Sequence, residues 1–255
     1  MSRVLAVAAL GAAALTLSFG LSACNRTPAA DDKAFGERVH AYLLAHPEVI
    51  QEAATKLQER EAAAQDAEAM AALKKGVEAL PKVRQALEHD PRDYVANPQG
   101  KITVTEFYDY RCPHCANAAP KVAALIHANP DVRFVFKEMP IFGPTSEHAA
   151  RAALAVKKDG GDYLGLYQAY MSTHGLDDEA IDRIALSKGA KAATLASPQV
   201  AAESNSQIAS VTQLFQQLSL RGTPAFIVGD QIVPGEDLDS ILQEVNKQRA
   251  RLAGG

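Results

Sequence analysis

Cysteine is scarce in this chain. Three in 255 residues are too few for a disulfide-stapled scaffold and too few for a four-cysteine zinc site. A basic excess is missing too: 26 Lys and Arg stand against 30 Asp and Glu, which leaves no electrostatic footprint for nucleic acid. After the first two dozen residues no stretch is apolar for long enough to span a membrane. What is present is ordinary aliphatic content, 47% hydrophobic with 22% charged. That excludes disorder throughout and suits one domain with an appendage, or two small domains.

The N-terminus reads as an address. Met1-Ser2-Arg3 carries one positive charge, and the apolar stretch from Val4 to Leu21 ends in Leu21-Ser22-Ala23-Cys24. Small residues at its end and no basic stop-transfer cluster behind it predict a cleavable signal peptide over residues 1–23. The last four residues resemble a bacterial lipobox, so Cys24 is the expected lipidation site. Ordinary cleavage without lipid and an uncleaved anchor are the alternatives. Residues 24–33 form a short polar linker. The expected location is the periplasm, with the lipid on the inner or the outer membrane.

Export alters what the remaining cysteines mean. Cys112 and Cys115 form the pair Arg111-Cys112-Pro113-His114-Cys115 in an oxidising compartment. A static bridge across two residues closes a tiny loop and restricts the unfolded chain little. Zinc would need a second pair of ligands, and covalent haem would need His at the position of Ala116. A redox-active dithiol is the better account, with no metal and no organic cofactor, because the reacting electrons reside in the two sulfurs.

The flanks support that chemistry. Lys101–Tyr108 mixes β-branched, aromatic and apolar residues as a buried strand does. Ala116–Ala128 carries Ala119, Val122, Ala123, Leu125 and Ile126 at helical spacings, with Pro120 expected to kink it. Cys112 then lies where a strand hands over to a helix, near unpaired N–H groups and the positive end of the helix dipole. Such motifs lower a cysteine pKa from about 8.5 to roughly 3.5–7.5. His114, between the sulfurs, could add to this or be a bystander.

The stretch Thr105–Cys115 resembles the disulfide-bond protein A (DsbA) family of oxidoreductases. Phe134–Pro140 is similar to that family's second central strand, and Arg221-Gly222-Thr223-Pro224 through Gly229 to its cis-proline loop and following strand. The resemblance covers roughly residues 95–255 and implies an α/β, thioredoxin-like fold with an inserted all-helical domain. It implies that Cys112 is the exposed nucleophile, Cys115 the buried resolving partner, and Pro113 and His114 the dipeptide that sets redox poise. It makes Pro224 the cis-proline and Thr223 the residue offering backbone to a client, whereas spacing alone allows an ordinary turn there. It matches Glu106 to a buried acid assisting proton transfer; read without it, Glu106 is a strand-edge charge.

Helical patterns at Ser146–Lys158, Asp162–Thr173, Asp178–Ser187 and about Pro198–Leu218 place the insertion at about residues 145–218, with Thr145, Asp162 and Asp177 as N-caps. His127, His148 and His174 read as solvated or locally bonded. Tyr163, Leu166, Tyr167, Tyr170 and Met171 read as a core stripe. A strand at Gln231–Pro234 and a helix at Asp237–Leu252 close the domain of residues 90–255. Before it, residues 34–89 form an N-terminal helical extension, broken at His46-Pro47 and weakened at Gly76. Its apolar seam is too thin for a core of its own. It is either a spacer or, through residues 34–80, a homo-oligomerisation element.

Three functions follow from these expectations. The first is an oxidase passing the Cys112–Cys115 disulfide to reduced exported proteins and regenerated by a membrane redox partner, as Pro-His suggests. The second is an oligomeric isomerase or reductase acting on misoxidised clients, as in the ScsC-like branch, which Thr before Pro224 favours. The third is a non-catalytic copper carrier or holdase.

Overall fold

The computed structural model describes residues 28–254, so the expected signal peptide over 1–23 and the lipidation site Cys24 lie outside the described residues. Two compact units divide the chain between Ala62 and Ala63. The described part of the first is helical: α1 is Pro28–Ala45 and α2, Glu48–Glu88, begins there. The break falls at His46-Pro47, because a residue preceding proline is pushed out of the α region while proline itself suits a helix start. The expected linker over 24–33 is helical from Pro28 onward. Phe35, Tyr42, Leu44, Ile50 and Leu57 are all exposed.

The second unit begins earlier than residue 90, the expected domain start. The physical reason is packing. Leu80 and Leu87 of α2 are completely buried, and Leu73, Val77 and Val83 lie against the same cluster as Phe107, Phe215 and Ile232. Burying one such leucine stabilises by roughly 1.5–3 kcal/mol. Gly76, expected as a weak point, permits this contact: a Cβ there would collide with the Leu218 carbonyl oxygen. Lys137, itself buried, donates to the Ala86 carbonyl at 2.6 Å and pairs with buried Asp93, fastening the end of α2 to the sheet.

The sheet contains β1 (Tyr94–Ala96), β2 (Ile102–Tyr108), β3 (Val132–Glu138), β4 (Ala225–Val228) and β5 (Gln231–Pro234), in the order β1-β3-β2-β4-β5. β2 and β3 are parallel and the other pairs antiparallel. Parallel neighbours need a crossover, which α3 (Pro113–Ala128) supplies, unbroken through Pro120. The sheet is covered on both faces, hence its near-continuous apolar strands. Val104, Tyr108, Phe134 and Phe136 face one cluster; Phe107, Ala225 and Ile227 face the other with α2.

Between β3 and β4 run α4 (Pro144–Lys158), α5 (Tyr163–Ser172), α6 (Asp178–Ser187), the short α7 (Ala192–Leu195) that the periodicity misses, and α8 (Pro198–Gln217). Asp162 and Asp177 cap α5 and α6 by accepting from Gly165 N and Ala180 N. Thr145 does not cap α4. Gly143, at φ 87°, holds that position and Pro144 opens the helix, as proline's fixed φ and missing N–H favour. α9 (Leu238–Ala253), capped by Asp237, follows β5.

Candidate active site

Cys112 is the N-cap of α3, with extended backbone (φ −75°, ψ 120°), and Pro113 fills the first helical turn. The preceding loop is fastened by a residue that the motif reading missed. Asp109, buried, accepts from Arg111 N at 2.7 Å, Ile141 N at 2.6 Å and Phe142 N at 3.0 Å, and its carbonyl receives Cys112 N at 3.1 Å. The available signal was an Asp two residues before Arg111, the pattern of an Asx turn.

Cys112 and Cys115 are both free thiols. The Cys112 thiol is drawn down to about 5, first by the hydrogen bond from Cys115 and then by the N–H groups of Cys115 and His114, which together outweigh its burial. Cys115, with no exposed surface, moves the other way: burial comes first, then the Cys112 sulfur and the charge of Glu106. The environment therefore separates the two sulfurs into an anion-stabilised one and a proton-retaining one.

The expected exposure of Cys112 is not found. Its residue surface is only 2% accessible, because the loop before β4 lies over it and its Sγ donates to the Thr223 carbonyl at 3.1 Å. What remains open is a cavity of about 310 Å³ bordered by Tyr110, Arg111, Cys112, Pro113, Met171 and Leu176. The Thr223–Pro224 peptide is cis, and the Thr223 hydroxyl is buried without a hydrogen-bond partner.

His114 is exposed, with Nδ1 2.8 Å from Glu236 Oε1. That hydrogen bond, and then the nearby Cys112, raise its pKa, which extends the range over which a cation stands near the sulfur. Glu106 is not at a strand edge. It lies in the middle strand β2 between β3 and β4, fully buried, and receives Tyr167 OH at 3.3 Å. Burial pushes its carboxyl up to about 8 against that hydrogen bond.

A second buried acid, Glu138, was also missed. Tyr163 donates to its Oε1; Tyr108 OH sits 2.7 Å from Tyr163 OH and 2.9 Å from Tyr110 OH; Oε2 has no partner. Burial raises this carboxyl to about 7. The legible signal was a carboxylate at an inward position, two residues beyond Phe136. Tyr163, Tyr167 and Tyr170 are core residues as expected, and two of them also orient buried acids. His148 is not locally bonded: its Nε2 lies 2.8 Å from Asp182 Oδ1 of α6, 34 positions along the chain. Among the described residues no group of three or more His, Cys, Asp or Glu is arranged to hold a metal, and no helix is long and apolar enough to cross a membrane.

Residues 103–245 match the model of the DSBA-like thioredoxin domain. The chain belongs to the DSBA-like thioredoxin family. It is therefore a member of a thiol–disulfide oxidoreductase family that works through a redox-active disulfide without an organic cofactor, and its fold is thioredoxin-like with a helical insertion. Residues 31–64 separately match the N-terminal domain of copper resistance protein ScsC. A thioredoxin-like oxidoreductase of Silicibacter pomeroyi is 37% identical, with a TM-score of 0.60, covering 66% of this chain and 98% of its own. ScsC of Proteus mirabilis, crystallised in a transitional conformation, is 28% identical with a TM-score of 0.61, covering 88% and 99%. Disulfide bond formation protein D of Bacillus subtilis is 26% identical over 160 residues, 58% of this chain and 72% of that protein. A Na+/H+ antiporter of Salinispora tropica is 37% identical over 75 residues, but the chain spans 12% of its length.

Proposed function

We propose that this DSBA-like protein oxidises reduced thiols of exported proteins through Cys112 and Cys115. The observation that carries the reading is the opposite tuning of the two sulfurs, with Cys112 held near 5 at the start of α3 and facing Thr223-Pro224. In the oxidised protein a client thiolate attacks Cys112 Sγ. The Cys112–Cys115 bond breaks, and its electron pair leaves on Cys115. That sulfur needs a proton, and Glu106, protonated below about 8, supplies it. A second client thiolate then attacks the client sulfur of the mixed disulfide and expels Cys112. A thiolate stable near pH 5 leaves readily, so the disulfide form is an oxidant. The protein is left reduced, and a membrane redox partner re-oxidises it. Pro113 and His114 set the poise, and Thr223 and Pro224 present backbone to the client.

A second reading, an oligomeric isomerase or reductase, is favoured by the ScsC-type match over residues 31–64 and by the exposed Phe35, Tyr42, Leu44, Ile50 and Leu57 along that region. Residues 34–62 would then join protomers, because Leu73, Val77 and Leu80, within the expected 34–80, pack on this chain's own core. In either reading the chain is exported by residues 1–23 and held at the membrane through lipid on Cys24, facing the periplasm. The soluble chain from residue 25, oxidised, is mixed with a reduced client and, when reduced, with a scrambled one, and its molar mass is measured. Faster oxidation than unscrambling by a monomer supports the oxidase. Faster unscrambling by a dimer or trimer that dissociates on removing residues 34–62 overturns it in favour of the isomerase.

A further inference from the structure

Beside the cis-proline lies a groove of about 360 Å³ that shares no lining residue with the cavity next to Arg111. Its walls are mainly apolar, with Leu218, Leu220, Ile232 and Pro234 on one side, and it reaches His114 and Pro224. Its other wall is α2, through Ala69, Ala72 and Leu73. The two alanines, three residues apart on one helix face, keep the groove open where larger side chains would close it. Arg221 and Glu68 pair across the rim, so no unpaired charge faces an apolar occupant there.

The backbone at the mouth indicates what enters. Arg221, Gly222 and Thr223 precede β4 and are themselves outside any strand. Among the described residues no backbone–backbone hydrogen bond involves their N–H or carbonyl groups, and Thr223 O receives the Cys112 thiol. A Cβ added at Gly222 would meet nothing within 4 Å. Arg221 and Gly222 are exposed, and backbone at the surface with unpaired donors takes an extended chain by strand addition, with pockets reading alternate side chains.

We propose that the helix preceding the catalytic fold is a specificity element: α2 forms a wall of a pocket that accepts a bulky apolar side chain of an extended client segment aligned on Arg221–Thr223. This rests on the reading of Thr223 and Pro224 as the client-binding backbone. It gives Ala69, Ala72 and Leu73 a role in choosing the client, separate from any role of the helix in spacing or self-association.

The test uses the oxidised chain from residue 25 and two reduced cysteine peptides, identical except for Leu or Ser two residues from the cysteine. Dithiothreitol supplies the reference rate for each protein. The wild type is expected to react with the Leu peptide about ten-fold faster than with the Ser peptide, the effect of partial burial of one aliphatic side chain. In Ala72→Phe, and independently in Ala69→Phe at an exposed helix position, the ratio is expected to fall to about one, each rate taken relative to the same protein's rate with dithiothreitol. A wild-type ratio of one, or a preference that survives both substitutions, overturns the proposal. So does a preference that weakens as protein concentration rises, since a second copy would then occupy the groove. Wild type that fails to oxidise even dithiothreitol sinks the redox reading beneath it, an outcome distinct from a lost preference.

Discussion

Lowering the pH of the reduced protein should strip away stability that Cys112 alone supplies. The folded chain holds this thiol near 5, whereas a free cysteine titrates at about 8.5. The folded state therefore releases its proton over a range in which the unfolded state keeps it, and stability rises with pH across that window. At about 1.4 kcal/mol per unit, the contribution is about 3 kcal/mol at pH 7 and about 5 kcal/mol above pH 8.5, and it is lost as pH falls through 5. Because only the reduced form carries the thiolate, the same 3 kcal/mol makes the disulfide about 60 mV more oxidising at pH 7 than an unperturbed pair in this fold. Glu106, Glu138 and Asp93 oppose the trend in the total, since burial raises them to about 8, 7 and 6 and their contribution declines as pH rises. Denaturant unfolding of reduced wild type minus that of Cys112→Ser, from pH 4 to 9, removes their common part. Thiolate absorbance and alkylation rate should give a midpoint near 5. A flat difference curve, or a thiol titrating like free cysteine, would refute the argument that the start of α3 stabilises this anion.

Glu106→Gln should leave the Cys112 midpoint in place while slowing both the formation and the release of the Cys115 thiolate. Mixed disulfide with a reduced client should form more slowly, and the limb of the pH–rate profile near 8 should disappear. An unchanged profile would remove Glu106 from the proton path. Lys137→Met leaves Asp93 buried without its partner and should lower stability by about 3–5 kcal/mol. The double variant with Asp93→Asn should recover much of that loss, as measured by urea unfolding; equal losses in the single and double variants would mean that the pair is not what holds the end of α2.

Local order explains why much of this molecule is legible in the chain itself. The strand before Cys112, the helix after it, the N-caps Asp162 and Asp177, and the strand Gln231–Pro234 each follow from residues within a turn or two of one another, where periodicity and capping act. Pro113 at a helix start and the cysteine two residues beyond it likewise belong to one stretch of backbone. Tertiary structure alone decided what those pieces meet. Cys112 finds Thr223 across 111 positions and His114 finds Glu236 across 122. Glu106 becomes a proton-holding acid instead of a strand-edge charge because β4 pairs on one side of β2 and Tyr167 closes over it. Gly76, a flaw by helix propensity, becomes a point of close approach once Leu218 arrives. Spacing along the chain sets which side chains share a face; the desolvation and long-range hydrogen bonds that tune them exist only after distant segments have been brought together.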